Sequence, residues 1–340
     1  VQPLHAPVLF QSVYQSEADS LTIAQTMNRH ARRLSGTVLL AGIAIVSACS
    51  DSSGPAPASA YKIELRFFGR TLTASQQTLF TNATARLESI ITGTLPPVNA
   101  NGADPATCGA IGVAKLTETI PGLVIYASID SIDGRGKILA EAGPCYIRTS
   151  NGQNDYRTSI GIIKIDSADI NTLAGSGNLQ QVITHEMMHV VGFGTFWDST
   201  SSNLLINYGS NVSYIGAGGI AGCKAIGGNS ICASSVPVEG SQGSEGTINS
   251  HWRESTFGNE LMTGFLNSGT NPLSVMSIRS LEDLGYTVNP AVADAYPDAN
   301  THVVINLRSI LDGNESVAAP TPPAWERPPR ILGALPITNR

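Results

Sequence analysis

Charged side chains are scarce, making up 14% of the 340 residues. Beside 42% hydrophobic residues, that shortage excludes a highly charged disordered chain and an Ala/Glu/Lys-rich coiled coil. A basic excess is also missing. Lys and Arg number 20 against 26 Asp and Glu, a net charge of −6, so nothing supplies the phosphate neutralisation that nucleic-acid binding needs. Nucleic acid is therefore not an expected partner. No uncharged apolar run reaches the ~20 residues of a membrane-spanning helix, no C-x-x-C pair is present, and no internal repeat is visible. What the chain does have is 34 Gly, 19 Pro and five Cys. An odd cysteine count in an exported protein gives one cysteine a different fate from the rest.

From Met27 the sequence reads MNRHARRLSGTVLLAGIAIVSACS. Arg29, Arg32 and Arg33 precede a short apolar stretch that ends in small residues, which is the layout of a secretory signal. Val46-Ser47-Ala48-Cys49 resembles a bacterial lipoprotein box, in which the chain is cut before the cysteine and the thiol is lipidated. The expectation is an over-extended start over residues 1–26, a lipoprotein signal peptide over 27–48, and Cys49 as the lipid anchor. Residues 49–60 then form a Ser/Pro/Ala tether, with Ser50 favouring outer-membrane sorting. An ordinary signal with a chance cysteine is the competing reading. Membrane contact is expected through the anchor alone, for a monomer.

After the tether, Tyr61 to Phe68 alternates as a strand and Ala74 to Ile91 has helical spacing. Gly122 to Ile129 and Ser159 to Ile165 are β-branched runs that read as strands. Asn178 to Val191 reads as a helix between Gly177 and Gly192. Residues 199–250 are rich in Gly, Ser and Asn without a sustained period, and a long irregular stretch of this kind is usually functional or stapled. Ser274 to Leu284 predicts a short buried helix. The Pro-rich tail from Gly313 is expected to be unpacked.

His185-Glu186-Met187-Met188-His189 is an H-E-x-x-H on a predicted helix. At 3.6 residues per turn the two histidines stand one above the other and can share one zinc ion. Glu186 lies about 100° round the helix from His185, beside the ion, where a base for water belongs. Ile183, Met187 and Val190 fall opposite, toward a core. A catalytic zinc takes three protein ligands and keeps one position for water. The uninterrupted metzincin pattern would put the third at position 195, which is Thr. His251 and His302 are the other histidines after residue 60, and His302 lies near the tail. Glu239, Glu245, Glu254, Glu260 and Asp198 are carboxylate alternatives.

HEMMHVVGFGTFW and HWRESTFGNELMTG, with 58 residues between Gly192 and His251, resemble the leishmanolysin family of metzincins, where an insertion separates the glycine from the third histidine. The resemblance covers roughly Gly122 to Tyr296. It implies His251 as the third ligand, Gly192 as the helix-ending turn and Met262 as the Met-turn methionine beneath the metal. It further implies an α+β, zincin-like fold: a twisted, mostly parallel sheet with a backing helix and the active-site helix in an N-lobe (about 61–192), and an irregular C-lobe (about 193–300) with a short helix. Residues 301–340 stay outside that domain.

Cys108, Cys145, Cys223 and Cys232 allow three pairings. Cys108–Cys145 with Cys223–Cys232 is favoured because the second pair would staple the insertion that places His251, with zinc ligation by cysteine as the alternative. The expected function is a zinc endopeptidase acting on polypeptides, with one catalytic zinc and Glu186 as general base and acid. Phe193, Phe196 and Trp197 are candidates for an apolar cleft wall, with core packing the favoured alternative for at least two of them. The competing function is an inactive surface binding module, or adhesin, with structural zinc. Retention of Glu186 argues against it.

Overall fold

The computed structural model describes residues 61–297 apart from 210, 244, 245 and 268, together with 299 and 333–338. Cys49, the proposed signal and tether, Glu245, His302 and the Pro-rich stretch 313–332 lie outside the described residues.

The chain runs through β1 (Ile63–Phe67), α1 (Ala74–Ile90), a short antiparallel pair β2 (Val98–Asn99) and β3 (Thr119–Ile120), then β4 (Leu123–Asp130), β5 (Ala140–Ser150) and β6 (Gln153–Asp166). Helices α2 (Ile170–Gly175) and α3 (Leu179–Val190) come next. The remainder holds β7 (Leu205–Ile206), β8 (Ser213–Tyr214), α4 (Ala217–Ala225), β9 (Val236–Pro237), α5 (Glu254–Phe257), α6 (Val275–Ser280) and β10 (Gly333–Pro336).

The main sheet has the order β1-β4-β6-β5-β10. β1, β4 and β6 are mutually parallel, β5 is antiparallel to β6, and β10 is parallel to β5. A parallel sheet is stable when both faces are covered, and β4 is accordingly buried along its length except at Asp130. Its alternate residues divide between two cores. Ile125, Ala127 and Ile129 join Ile163 and Ile165 of β6 against Phe80 and Leu87 of α1 and Ile183 and Met187 of α3. Val124 and Tyr126 face the other way, with Ile160 and Ile162, toward Val98, Ile120, Cys145 and Leu335. Burying each large aliphatic or aromatic side chain contributes about 1.5–3 kcal/mol, so α3 is fixed to the sheet mainly by its apolar side.

Local signals agree with the helices. Thr73 and Gln76 form a reciprocal capping box at the start of α1. The last turn of α3 is tied to β6 by the Thr158 hydroxyl, which donates to the Val190 carbonyl at 2.7 Å. Arg148, fully buried on β5, gives its guanidinium to the carbonyls of Pro96, Gly122, Arg157 and Thr158, joining β5 to the loop before β2, to its neighbour β6 and to the residue that leads into β4.

Several expectations change. β5 is a strand of 11 residues that the sequence pattern does not announce. The insertion is not wholly irregular, since it carries α4 and the three-stranded sheet β7-β8-β9. The tail is not all unpacked: β10 adds to the sheet at Tyr146–Thr149, and Leu335 is 8% exposed. The two expected disulfides, Cys108–Cys145 and Cys223–Cys232, are both present. Among the described residues no helix is long and apolar enough to cross a membrane.

Candidate metal centre

α3 carries His185, Glu186 and His189 in its second half, and from Val182 to Val190 every residue is buried. The face expected to line a cleft is thus nearly enclosed, with His185 and His189 each 3% exposed and Glu186 1%. Gly192 ends the helix at φ +105°, and a Cβ there would meet the Phe196 ring at 2.3 Å. In that turn Gly192 N–H donates to His189 O and Phe193 N–H to Met188 O, both at 3.0 Å. The same turn aims the Phe193 carbonyl at His189, whose Nδ1 reaches it at 2.9 Å.

His251 arrives from 66 residues beyond His185 and is fully buried. The Nε2 atoms of the three histidines form a near-equilateral triangle with sides of 3.0, 3.0 and 3.2 Å. Each Nδ1 faces a backbone carbonyl: Leu261 O at 2.6 Å for His185, Phe193 O at 2.9 Å for His189, and Thr247 O at 3.2 Å for His251. A carbonyl only accepts, so Nδ1 of His185 and His189 holds the ring proton. His251 Nδ1 also lies 3.0 Å from the Ser250 hydroxyl, and because that hydroxyl donates to the Gly246 carbonyl, it is left to accept. Here too Nδ1 donates, and all three Nε2 atoms present lone pairs. Three converging lone pairs repel one another unless a cation lies among them. Tetrahedral zinc with Zn–N bonds of ~2.0–2.1 Å places its ligand nitrogens about 3.3 Å apart, close to the observed triangle. Backbone acceptors behind each ring are also the usual means of orienting zinc-bound histidines. The residues fit zinc.

Among the described residues, His185, His189 and His251 are the only group of three or more His, Cys, Asp or Glu whose ligand atoms all lie within 4.8 Å of one another. The carboxylate rivals that can be placed are engaged elsewhere. Glu239 accepts three backbone N–H bonds from Gly240, Ser241 and Gln242. Asp198 holds Thr200 and Ser201. Glu254 accepts from Asn267, and its burial pushes its carboxyl up to about 7. Glu260 is fully enclosed, and burial raises its pKa against the pull of Ser274, Ser277 and the Met262 N–H. All four disulfide cysteines are committed to their bridges, so none is a zinc ligand.

Met262 lies in a tight turn, with Thr263 N–H donating to Glu260 O at 3.1 Å and Met262 N–H to Glu260 Oε2 at 2.6 Å. The turn touches both histidine-bearing segments. Leu261 O faces His185, and Met262 O accepts the Trp252 N–H at 3.0 Å, immediately after His251. Phe193, Phe196 and Trp197 are fully buried core residues rather than a cleft wall. Trp197 and Trp252 pack with ring centroids 4.7 Å apart, and Tyr214 of β8 lies 4.7 Å from Trp197. One aromatic cluster therefore joins the end of α3, the insertion and the segment after His251.

One positioning residue escapes sequence reasoning. Gly194 has φ +70°, and a Cβ there would lie 2.1 Å from Ser250 O, one residue before His251. The G-F-G spacing in the sequence was the available signal, although nothing local says what the second glycine must clear.

No curated protein gives a significant match to the chain. The family model for leishmanolysin matches residues 88–304, a span that contains α3, the three histidines and Met262. By that match, the protein belongs to the leishmanolysin-like family of metallopeptidases.

Proposed function

We propose that the protein is a zinc-dependent endopeptidase in which His185, His189 and His251 hold one zinc ion and Glu186 is the general base and acid. The observation that carries this reading is the triangle of Nε2 atoms with every Nδ1 turned to a backbone carbonyl. Bound zinc supplies a Lewis acid that acidifies water and polarises the scissile carbonyl. Glu186 takes the proton of the attacking water and returns it to the leaving amine, a role worth typically ~10² to 10⁴ in rate. Its place on α3, one residue after His185, sets it beside the ion rather than in the ligand set. The walls around it exclude bulk water and strengthen electrostatic interactions within the site.

The turn at Met262 is assigned as the Met-turn of the zincin-like fold, with residues 61–192 as N-lobe and 193–300 as C-lobe. The substrate is a polypeptide. Cys49 is assigned as the lipid anchor after removal of a signal at 27–48, leaving a monomer tethered through residues 49–60 to the cell envelope, in the outer membrane or at the cell surface. These assignments rest on the sequence motifs and on the family.

The test compares wild type with Glu186→Gln for zinc content and for casein digestion with and without chelator. Expected is one zinc in both proteins, chelator-sensitive digestion by the wild type, and a loss of at least about 10²-fold in the variant. A Glu186→Gln protein that digests casein like the wild type would remove the mechanism. Stoichiometric zinc in a wild type without peptidase activity would move the chain to the binding-module class.

A further inference from the structure

Glu260 lies outside the histidine triangle, yet its fully buried carboxylate is bonded to the supports of two corners. Oε2 accepts the Met262 N–H at 2.6 Å. Oε1 accepts the Ser274 N–H at 3.0 Å and the hydroxyls of Ser274 and Ser277, both at 2.6 Å. Ser274 is the N-cap of α6, and Ser277 lies in its first turns. The indole N–H of Trp252 donates to the same Ser277 hydroxyl at 2.8 Å. One carboxylate thus holds the 260–263 turn, whose Leu261 carbonyl orients His185. Through Ser277 it also holds the indole next to His251.

We infer that Glu260 is a positioning residue for the metal centre, a buried clamp that fixes the Leu261 carbonyl behind His185 and, through Ser277 and Trp252, the backbone that presents His251. This rests on the three-histidine reading above. Burying a carboxylate is costly unless its hydrogen-bonding capacity is met, and here four donors converge on it. Three of them come from α6, beyond the Met262 turn in sequence. A residue that only filled the core would not need an acid at this position. The clamp transmits the placement of α6 to two ligands that are far apart along the chain. Removing outer partners of zinc ligands typically weakens metal affinity ~10- to 100-fold.

Glu260→Gln tests the idea without changing side-chain volume. An amide has one acceptor oxygen where the carboxylate has two, so its NH₂ must oppose either the Met262 N–H or the Ser274 N–H, neither of which can accept. Ser277→Ala is the milder companion, removing one of the four donors to the carboxylate and with it the link to Trp252, while the Met262 and Ser274 bonds stay. Ser280→Ala is the control: its hydroxyl donates to Ser277 O at 2.8 Å, in the same helix, without touching the carboxylate. Zinc affinity is measured by chelator competition on the whole protein, and the visible spectrum of the Co²⁺-substituted form reports ligand geometry.

Expected is a ~10- to 100-fold weaker zinc affinity and an altered Co²⁺ spectrum for Glu260→Gln. Ser277→Ala should shift both in the same direction by less, and Ser280→Ala should bind and absorb as wild type even where it melts earlier. Wild-type affinity and spectrum in both Glu260→Gln and Ser277→Ala would overturn the inference. Equal changes in all three variants would also overturn it, by reducing the effect to loss of stability. Should Glu260→Gln fail to fold, Ser277→Ala decides alone. Failure of the underlying reading looks different: the wild type itself would bind no Zn²⁺ or Co²⁺, or His251→Ala would bind as well as wild type.

Discussion

Gly194→Ala should damage the metal centre far more than its own stability cost implies. The native backbone has φ +70° there, a conformation that costs an L-residue with a Cβ ~1–2 kcal/mol. The larger effect is steric. The new Cβ would lie 2.1 Å from Ser250 O and 2.9 Å from Ser250 Cα, and neither atom belongs to a side chain that can rotate away. Relief requires roughly 1 Å of movement in a close-packed interior. Zinc sites tolerate ligand distances within about ±0.2 Å, so a shift of that size next to His251 exceeds the tolerance about fivefold. Zinc affinity should fall at least ~10-fold, or about 1.4 kcal/mol. Gly152→Ala supplies the comparison: Gly152 also has positive φ, +74°, with nothing within 4 Å of a built Cβ. It should lose ~1–2 kcal/mol of stability and keep wild-type affinity. Competition titration against a chromophoric chelator gives the affinities, and urea melts of the apoproteins give the stabilities. If both alanine variants bound zinc like the wild type, the argument that Gly194 sets the approach of His251 would be refuted.

Glu254→Gln should stabilise the protein at neutral and alkaline pH and leave zinc content unchanged. Burial raises the native carboxyl from 4.5 to about 7, so between those values the folded state binds more protons than the unfolded one and stability falls as pH rises. The penalty is absent below about pH 4.5, complete above about 7 and at most about 3 kcal/mol. Denaturation of both proteins across pH 4–8 should show a gap that opens with rising pH; a constant gap would remove the burial argument. The two disulfides should differ in their contribution. They close separations of 37 residues for Cys108–Cys145 and 9 for Cys223–Cys232. Chain entropy then gives about 4 and about 3 kcal/mol, and urea melts of the paired Cys→Ser variants should rank them in that order.

How much was legible depended on whether the cause was local. α3 announces itself by the spacing of Ile183, Met187 and Val190 against the two histidines, and α1 by the helical spacing of its apolar positions. β5 hides because Gly143 and Pro144 interrupt its pattern. Pairing with β6 on one side and β10 on the other makes it a strand, with the register shifting between Pro144 and Tyr146. α4 hides for a related reason. Gly218, Gly219 and Gly222 each cost a helix about 1 kcal/mol relative to Ala. They are there because neighbours pack too closely for side chains: a Cβ on Gly218 or Gly222 would meet α6, at 2.2 Å from Arg279 O and 2.5 Å from Met276 Cα, and one on Gly219 would meet the Tyr214 ring at 2.6 Å. Asp283, distant in sequence, receives the Gly218 and Gly219 N–H groups at 2.8 and 3.0 Å and caps the helix from outside. At the candidate metal centre, His185, Glu186 and His189 were readable from their spacing, and His251 from the short list of remaining histidines and the family resemblance. Gly194 and Glu260 were not, because their partners Ser250, Ser274 and Ser277 are found only through tertiary contact.

The aromatic cluster behind the histidines also has an optical consequence. The chain has three tryptophans, and two of them, Trp197 and Trp252, are fully buried within 4.7 Å of each other. Rings this close exchange excitation, and Trp252 directly follows His251. A coloured ion such as Co²⁺ bound by the three imidazoles would draw emission from the pair by energy transfer, whereas colourless Zn²⁺ would leave it bright. Tryptophan emission should therefore distinguish one ion from the other and follow their exchange without an added label.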